Sequence, residues 1–295
     1  MGEAKKKARR HAAILNAESA CIYCGGENLA TTIDHMPPRV LFRSSQRPKG
    51  LEFPSCRACN LGTSAADLVA ALFARTFPGI ENERDDQEWA RLMREVSRMV
   101  PGLIEEMYLS ERDMNAVRLE LSLAENEAVF FAGGPIAWAH MTAFGAKAGF
   151  ALYHEITGQI VSPQGGVQVR WFTNEEMLSG EAPEILLARN GAYQFTAQGK
   201  ITSKFEFEYK VAEAEYAPGV MLLAIKSRSA FAHAIFVASD AKALPFLEAD
   251  LAIFRPGDFQ RPIDINVAAP ISKKAWVNEI VSEKRGRRIR SRYFN

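Results

Sequence analysis

All four cysteines of the 295-residue chain fall in its first fifth, as two pairs with one spacing, Cys21-x2-Cys24 and Cys56-x2-Cys59. Four thiolates in two such knuckles suit a closed tetrahedral Zn²⁺ site with Zn–S near ~2.3 Å. Two disulfides would be out of place in a reducing compartment, so the doubled spacing reads as metal ligation. Protein fills every coordination position, which leaves no place for water. The zinc is therefore expected to be structural, contributing on the order of 10 kcal/mol to folding a piece with little core of its own. Gly25, directly after Cys24, permits the tight reversal that turns two sulfurs onto one ion. Asp34-His35 lies in the 31 residues between the knuckles, and Asn60 directly follows the last cysteine. Cys56, Cys59 and Asn60 stand at i, i+3 and i+4, so a helix projects them from one face. Zinc on one side and an Asp-His-Asn cluster on the other is the geometry this spacing suggests.

Local elements must hold these groups in place. The inter-knuckle segment has room for a two-stranded hairpin, with Asp34-His35 expected on its second half. Ser55 can cap a short helix through Cys56 to Leu61 that Gly62 ends, and Ser64-Ala-Ala-Asp67 has the form of a capping box opening a helix over 65–75. A basic helix is expected over 5–19. The stretch from Phe77 to Glu83 reads as a boundary. Beyond it, Trp89, Leu92, Met93, Val96, Met99 and Val100 recur at three and four, marking an amphipathic helix stopped near Pro101. A second long helix is expected over 135–157, with Gly158 as its C′ residue. The pattern then changes to period two at 205–211, where Phe205, Phe207, Tyr209 and Val211 alternate with charged residues, and further strands are expected at 166–171, 220–225 and 231–237. The fold class is thus α+β: a small zinc module in residues 1–78 with a basic amino-terminal arm, a helix-plus-antiparallel-sheet domain in 87–265, and a basic tail in 266–295.

The segment from Cys21 to Asn60 resembles the HNH endonucleases, whose module is the ββα-metal fold stapled by a treble-clef zinc. The resemblance rests on Cys21-x2-Cys24, Asp34-His35-x-Pro37 and Pro54-x-Cys56-x2-Cys59-Asn60, and covers about residues 20–75. It implies that His35 is the general base that activates water, and that Asp34 and Asn60 hold a divalent ion, Mg²⁺ or Mn²⁺. Elementary chemistry agrees with those roles. An imidazole with pKa near ~6.5 can accept a proton at neutral pH, and a hard cation prefers carboxylate and amide oxygens. Two positions depart from the family pattern. Leu51 stands where an asparagine usually supports the histidine, and Thr63 where a lysine is common.

Charge fits a nucleic-acid substrate once it is counted by segment. The whole chain carries only +1, but residues 1–60 carry +5, residues 271–295 carry +6, and the stretch between them −10. Arg39, Arg43, Arg47, Lys49 and Arg57 surround the Asp-His site in sequence and are expected to track phosphates. The run from Lys284 to Arg292 divides evenly between nucleic-acid contact and mere solubility. His11, His140, His154 and His233 read as ordinary residues, and the four tryptophans as core. No apolar run follows the basic start and none reaches membrane-spanning length, so a soluble cytoplasmic protein with no membrane contact is expected. The expected activity is phosphodiester hydrolysis, in DNA first. The rivals are a non-catalytic zinc-stabilised nucleic-acid-binding module and a toxin or defence nuclease controlled by a protein partner on the acidic domain.

Overall fold

The computed structural model describes residues 2–42, 47–76, 83–125, 127–179, 194–198, 201–204, 206–213, 219–244, 251–267 and 271–282. The chain opens with α1 (Gly2–Ala17), a 3-10 turn (Ile22–Cys24), β1 (Thr32–His35), β2 (Glu52–Ser55), α2 (Arg57–Gly62) and α3 (Ser64–Thr76). Four helices follow: α4 (Glu83–Met99), α5 (Leu103–Met107), α6 (Glu111–Leu121) and α7 (Pro135–Thr157). Next come β3 (Gly166–Thr173), α8 (Asn174–Ser179), β4 (Ala197–Gln198), β5 (Ile201–Thr202), β6 (Glu208–Glu213), β7 (Val220–Ser227), β8 (Phe231–Ala238), β9 (Ile253–Phe254) and α9 (Lys273–Val281). The class is α+β, as the sequence predicts. The expected boundary at 77–82, Arg43 and the run from Lys284 to Arg292 lie outside the described residues.

Helix α7 organises the core. All residues from Ala137 to Leu152 are buried, which suits a helix that is apolar nearly all round. It lies on an antiparallel sheet of order β6-β7-β8-β3-β9. Close approach depends on Gly145 and Gly149: a Cβ on the first would sit 2.6 Å from Val169 and from His233, and on the second 2.7 Å from Val167. Gly134 offers the amino end of α7 no side-chain cap. Glu106 of α5 supplies it instead, accepting from Ile136 N and Ala137 N at 2.9 Å each.

The zinc module does not have a core of its own. One buried cluster runs from Cys21, Tyr23 and Phe53 through α3 and α7 to the sheet and Phe259. The turn at Asp258–Gln260 returns to clasp the first knuckle: Gly257 N donates to Tyr23 O at 2.9 Å, and Asn28 Nδ2 to Gln260 Oε1 at 3.1 Å. Gly62 is pressed so closely against this turn that a Cβ there would stand 1.9 Å from the Phe259 carbonyl oxygen.

Several expectations are corrected. Asp34-His35 lies on the first strand of the small sheet, not its second half, because β2 begins only at Glu52. Cys56, not Ser55, caps α2, its Sγ accepting from Cys59 N. Ser64 is already helical and donates to Leu61 O, while the Asp67 carboxylate turns to Lys147, so no capping box forms. The period-two strand starts at Glu208, and its charged residues do not form a wet face. Glu208 and Lys210 are buried, and Glu208 pairs with Lys226 of β7 at 3.0 Å. Within the expected tail, α9 buries Trp276, Val277 and Ile280 in a cluster shared with Leu109 and Val117.

Candidate functional site

The four cysteines converge although 31 residues separate the knuckles. Their Sγ atoms all lie within 4.8 Å of one another, and all four side chains are buried. A tetrahedron with Zn–S near ~2.3 Å has S···S edges of about 3.8 Å, so the donor set fits zinc. Gly25 at φ +66° and Gly26 at φ +82° make the reversal after Cys24. Asn28 N at 3.4 Å and Asn28 Nδ2 at 3.6 Å donate to Cys24 Sγ, the kind of outer support that steadies a thiolate. A hydrogen bond from Cys59 pulls the Cys21 thiol down to about 5, while burial pushes Cys24 up to about 11. Loading zinc therefore has to release protons.

Strand alternation gives Asp34 and His35 opposite faces of the small sheet. On one face, Thr32 accepts from Asn60 Nδ2 at 3.1 Å, which leaves the Asn60 side-chain oxygen as its acceptor atom. Asp34, 4% exposed, lies beyond it on the same face. Lys147 Nζ of α7 contacts Asp34 Oδ1 at 3.0 Å, and the Tyr23 hydroxyl donates to Oδ2 at 2.5 Å. The same ammonium donates to both oxygens of Asp67, at 3.0 and 2.8 Å. Lys147 is fully buried. Asp67's own burial, with the Asp34 charge adding to it, pushes its carboxyl up to about 7 against the pull of Lys147, and burial with the Asp34 charge holds the Tyr23 hydroxyl well above its ordinary value.

His35 faces the other way, opposite Glu52 of β2 and under α1. Arg10 of α1 binds Glu52, and His11 brings its ring centroid to 6.3 Å from that of His35. His35 Nδ1 stands 3.7 Å from Glu52 Oε1, too far for a hydrogen bond, and has no partner; the side chain is 22% exposed. Burial, with the Arg47 charge adding to it, holds the imidazole down at about 4, so it is neutral at neutral pH.

The arginines divide into two groups. Arg39 and Arg57 are exposed, as is Lys49. Arg47 is not: its guanidinium donates to the carbonyls of Pro37, Pro48, Gly50 and Leu51 and holds the loop before β2. Leu51, in place of the family asparagine, is buried with φ +52°, and Thr63 donates to Cys59 O.

The divalent ion implied by the HNH resemblance does not fit this arrangement. Both Asp34 oxygens are engaged, the side chain is 5% exposed, and an ion that keeps several waters needs room around its ligand. Sequence reasoning missed Lys147 and Tyr23. One signal was present: Lys147 is the sole Asp, Glu, Lys or Arg between residues 135 and 154, an apolar stretch in which a lone lysine demands a buried counter-ion.

Family models, curated proteins and solved structures yield no match to this chain. Trp138, Trp171 and Trp276, read as core, are buried and line a cavity of about 250 Å³ with Arg170, Glu175 and Glu279; none of its lining residues belongs to the zinc module. His140 and His154 make local hydrogen bonds, and His233 of β8 reaches Met141 O of α7 at 2.9 Å. Among the described residues no helix is long and apolar enough to cross a membrane.

Proposed function

We propose that the chain is an HNH-class endonuclease that hydrolyses phosphodiester bonds in nucleic acid, DNA first, with His35 as general base. One observation carries the reading: at the end of β1 in a ββ-helix module whose four thiols fit zinc, His35 keeps a neutral imidazole that is 22% exposed, its buried Nδ1 unpartnered and the rest of the ring open in part to solvent. Such a group can take the proton of a water attacking phosphorus while the bond to the leaving oxygen breaks. Arg39 and Arg57 are exposed and would meet the backbone phosphates around it, with Lys49 adding positive charge nearby. Zinc has a structural role in this scheme.

A second reading, a non-catalytic nucleic-acid-binding module, is favoured by the engagement of Asp34 with Lys147 and Tyr23. Zinc-loaded wild type and His35→Ala are compared on plasmid, single-stranded DNA and RNA, with and without added Mg²⁺ or Mn²⁺. Cleavage by the wild type alone is expected. Cleavage that persists in the variant removes His35 from the reaction. Salt-sensitive binding without cleavage by either protein selects the binding module.

A further inference from the structure

We propose that Lys147 is the resident cation of the Asp34 site: an ammonium from α7 stands where the HNH resemblance puts a divalent metal, and Asp34 does not ligate a metal ion. The inference rests on the preceding reading only in treating Asp34 as part of the centre.

The ammonium is enclosed by carboxylate oxygens, two of Asp67 accepting hydrogen bonds and one of Asp34 in an ion pair. Lysine has three N–H donors, and three carboxylate oxygens stand within 3.0 Å: Asp34 Oδ1, Asp67 Oδ1 and Asp67 Oδ2. Tyr23 occupies Asp34 Oδ2 from the other side. A divalent ion at Asp34 would have to expel Nζ, and the side chain has nowhere to take it. Ala146 and Ala148, its neighbours on α7, are completely buried. Gly145 and Gly149 hold that stretch of α7 against β3 and β8 with no space for a methyl group, so the helix cannot slide to carry the lysine away. Leaving a buried ammonium unpaired is among the costliest changes a core can undergo. The lysine thus excludes the metal and at the same time joins the zinc module to the main core.

The test measures metal rather than turnover. Zinc-loaded full-length wild type, Asp34→Asn, Lys147→Ala and Lys147→Ala/Asp34→Asn are titrated with Mn²⁺ by calorimetry and electron paramagnetic resonance. Wild type and Asp34→Asn should take up Mn²⁺ alike, with no site that depends on Asp34. Lys147→Ala should bind Mn²⁺ at least about tenfold more tightly than wild type, and the added Asp34→Asn change should abolish that gain. A wild-type Mn²⁺ site that Asp34→Asn removes overturns the inference. If Lys147→Ala does not fold, the comparison of wild type with Asp34→Asn decides alone. The two readings fail separately. Absence of cleavage together with absence of an Asp34-dependent Mn²⁺ site sinks the nuclease and leaves Lys147 as the resident cation. Mn²⁺-dependent cleavage through an Asp34 site does the reverse.

Discussion

The two faces of the small sheet differ more than two consecutive residues would suggest. The Asp34 face is closed: carboxylate, hydroxyl, ammonium and a second carboxylate satisfy one another inside the main core, and the lysine comes from a helix more than a hundred residues away in sequence. The His35 face is half open, covered by the basic helix α1, with an unpartnered ring nitrogen and ion pairs that reach solvent. Full satisfaction in a low-dielectric interior fixes geometry and shuts out other ligands. Incomplete satisfaction at a partly exposed edge leaves chemistry available. The difference assigns architecture to Asp34 and leaves reactivity to His35.

Removing zinc should erase the contrast altogether, because the knuckles hold both strands. A chelator should cost the module on the order of 10 kcal/mol, read as loss of amide exchange protection across β1 and β2 while β7 and β8 stay protected. The next largest effect should be confined to the closed face. Lys147→Met leaves two carboxylates without their cation and should cost about 3–5 kcal/mol in denaturant titration, whereas Glu52→Gln on the open face should cost about 1 kcal/mol. Adding Asp34→Asn and Asp67→Asn to Lys147→Met should recover part of the loss, since no buried charge is then stranded.

Gly145→Ala should push α7 off the sheet at a cost of about 1–3 kcal/mol. Exchange protection should fall around Asp34 and Asp67 before it falls around α1. If both faces loosen together, α7 is not a separate support for one of them.

Acid provides the most graded test, its effect small for each unit of pH. His233, wholly buried, is held down to about 3. Its folded value lies below the unfolded one, so the stability it carries is complete above pH ~6.5 and is lost as pH falls from there toward 3, by at most about 1.4 kcal/mol per unit. Asp67 has the opposite sign. Its carboxyl is raised to about 7, so the folded state gains a proton first and acidification from pH 7 toward 4 favours folding. Asp67→Asn should therefore lose stability more steeply than wild type over that range.

Much of this contrast could be read before any coordinates, but not all of it. The convergence of the four cysteines into a group that could hold a metal ion was legible because their doubled spacing carries its own geometry. Helix α7 was legible from Pro135 to Gly158 because Pro at the start and Gly past the end mark it unambiguously. Asp67 misled: its spacing after Ser64 imitates a capping box, and only the tertiary approach of α7 reveals its partner. Arg47 misled in the same way, since a charge among turn residues looks solvated until the carbonyls it binds are seen. Strand periodicity located β6 but mistook burial, because Glu208 and Lys226 neutralise each other across the sheet. For Asp67 and Glu208 the missing information was a partner on another element; for Arg47 it was the path of the nearby backbone, which spacing alone does not give.

The clasp at Asp258–Gln260 adds an order of events. On a ribosome the last zinc ligand emerges about 200 residues before Phe259, an interval on the order of 10–40 s of synthesis. The nascent amino-terminal piece can load its metal early, while Asp34 and Asp67 still lack Lys147 and Gly62 still lacks the turn that covers it. Until α7 is made, Asp34 and Asp67 lack the cation that the finished protein gives them, so the two carboxylates wait on a helix from the middle of the chain.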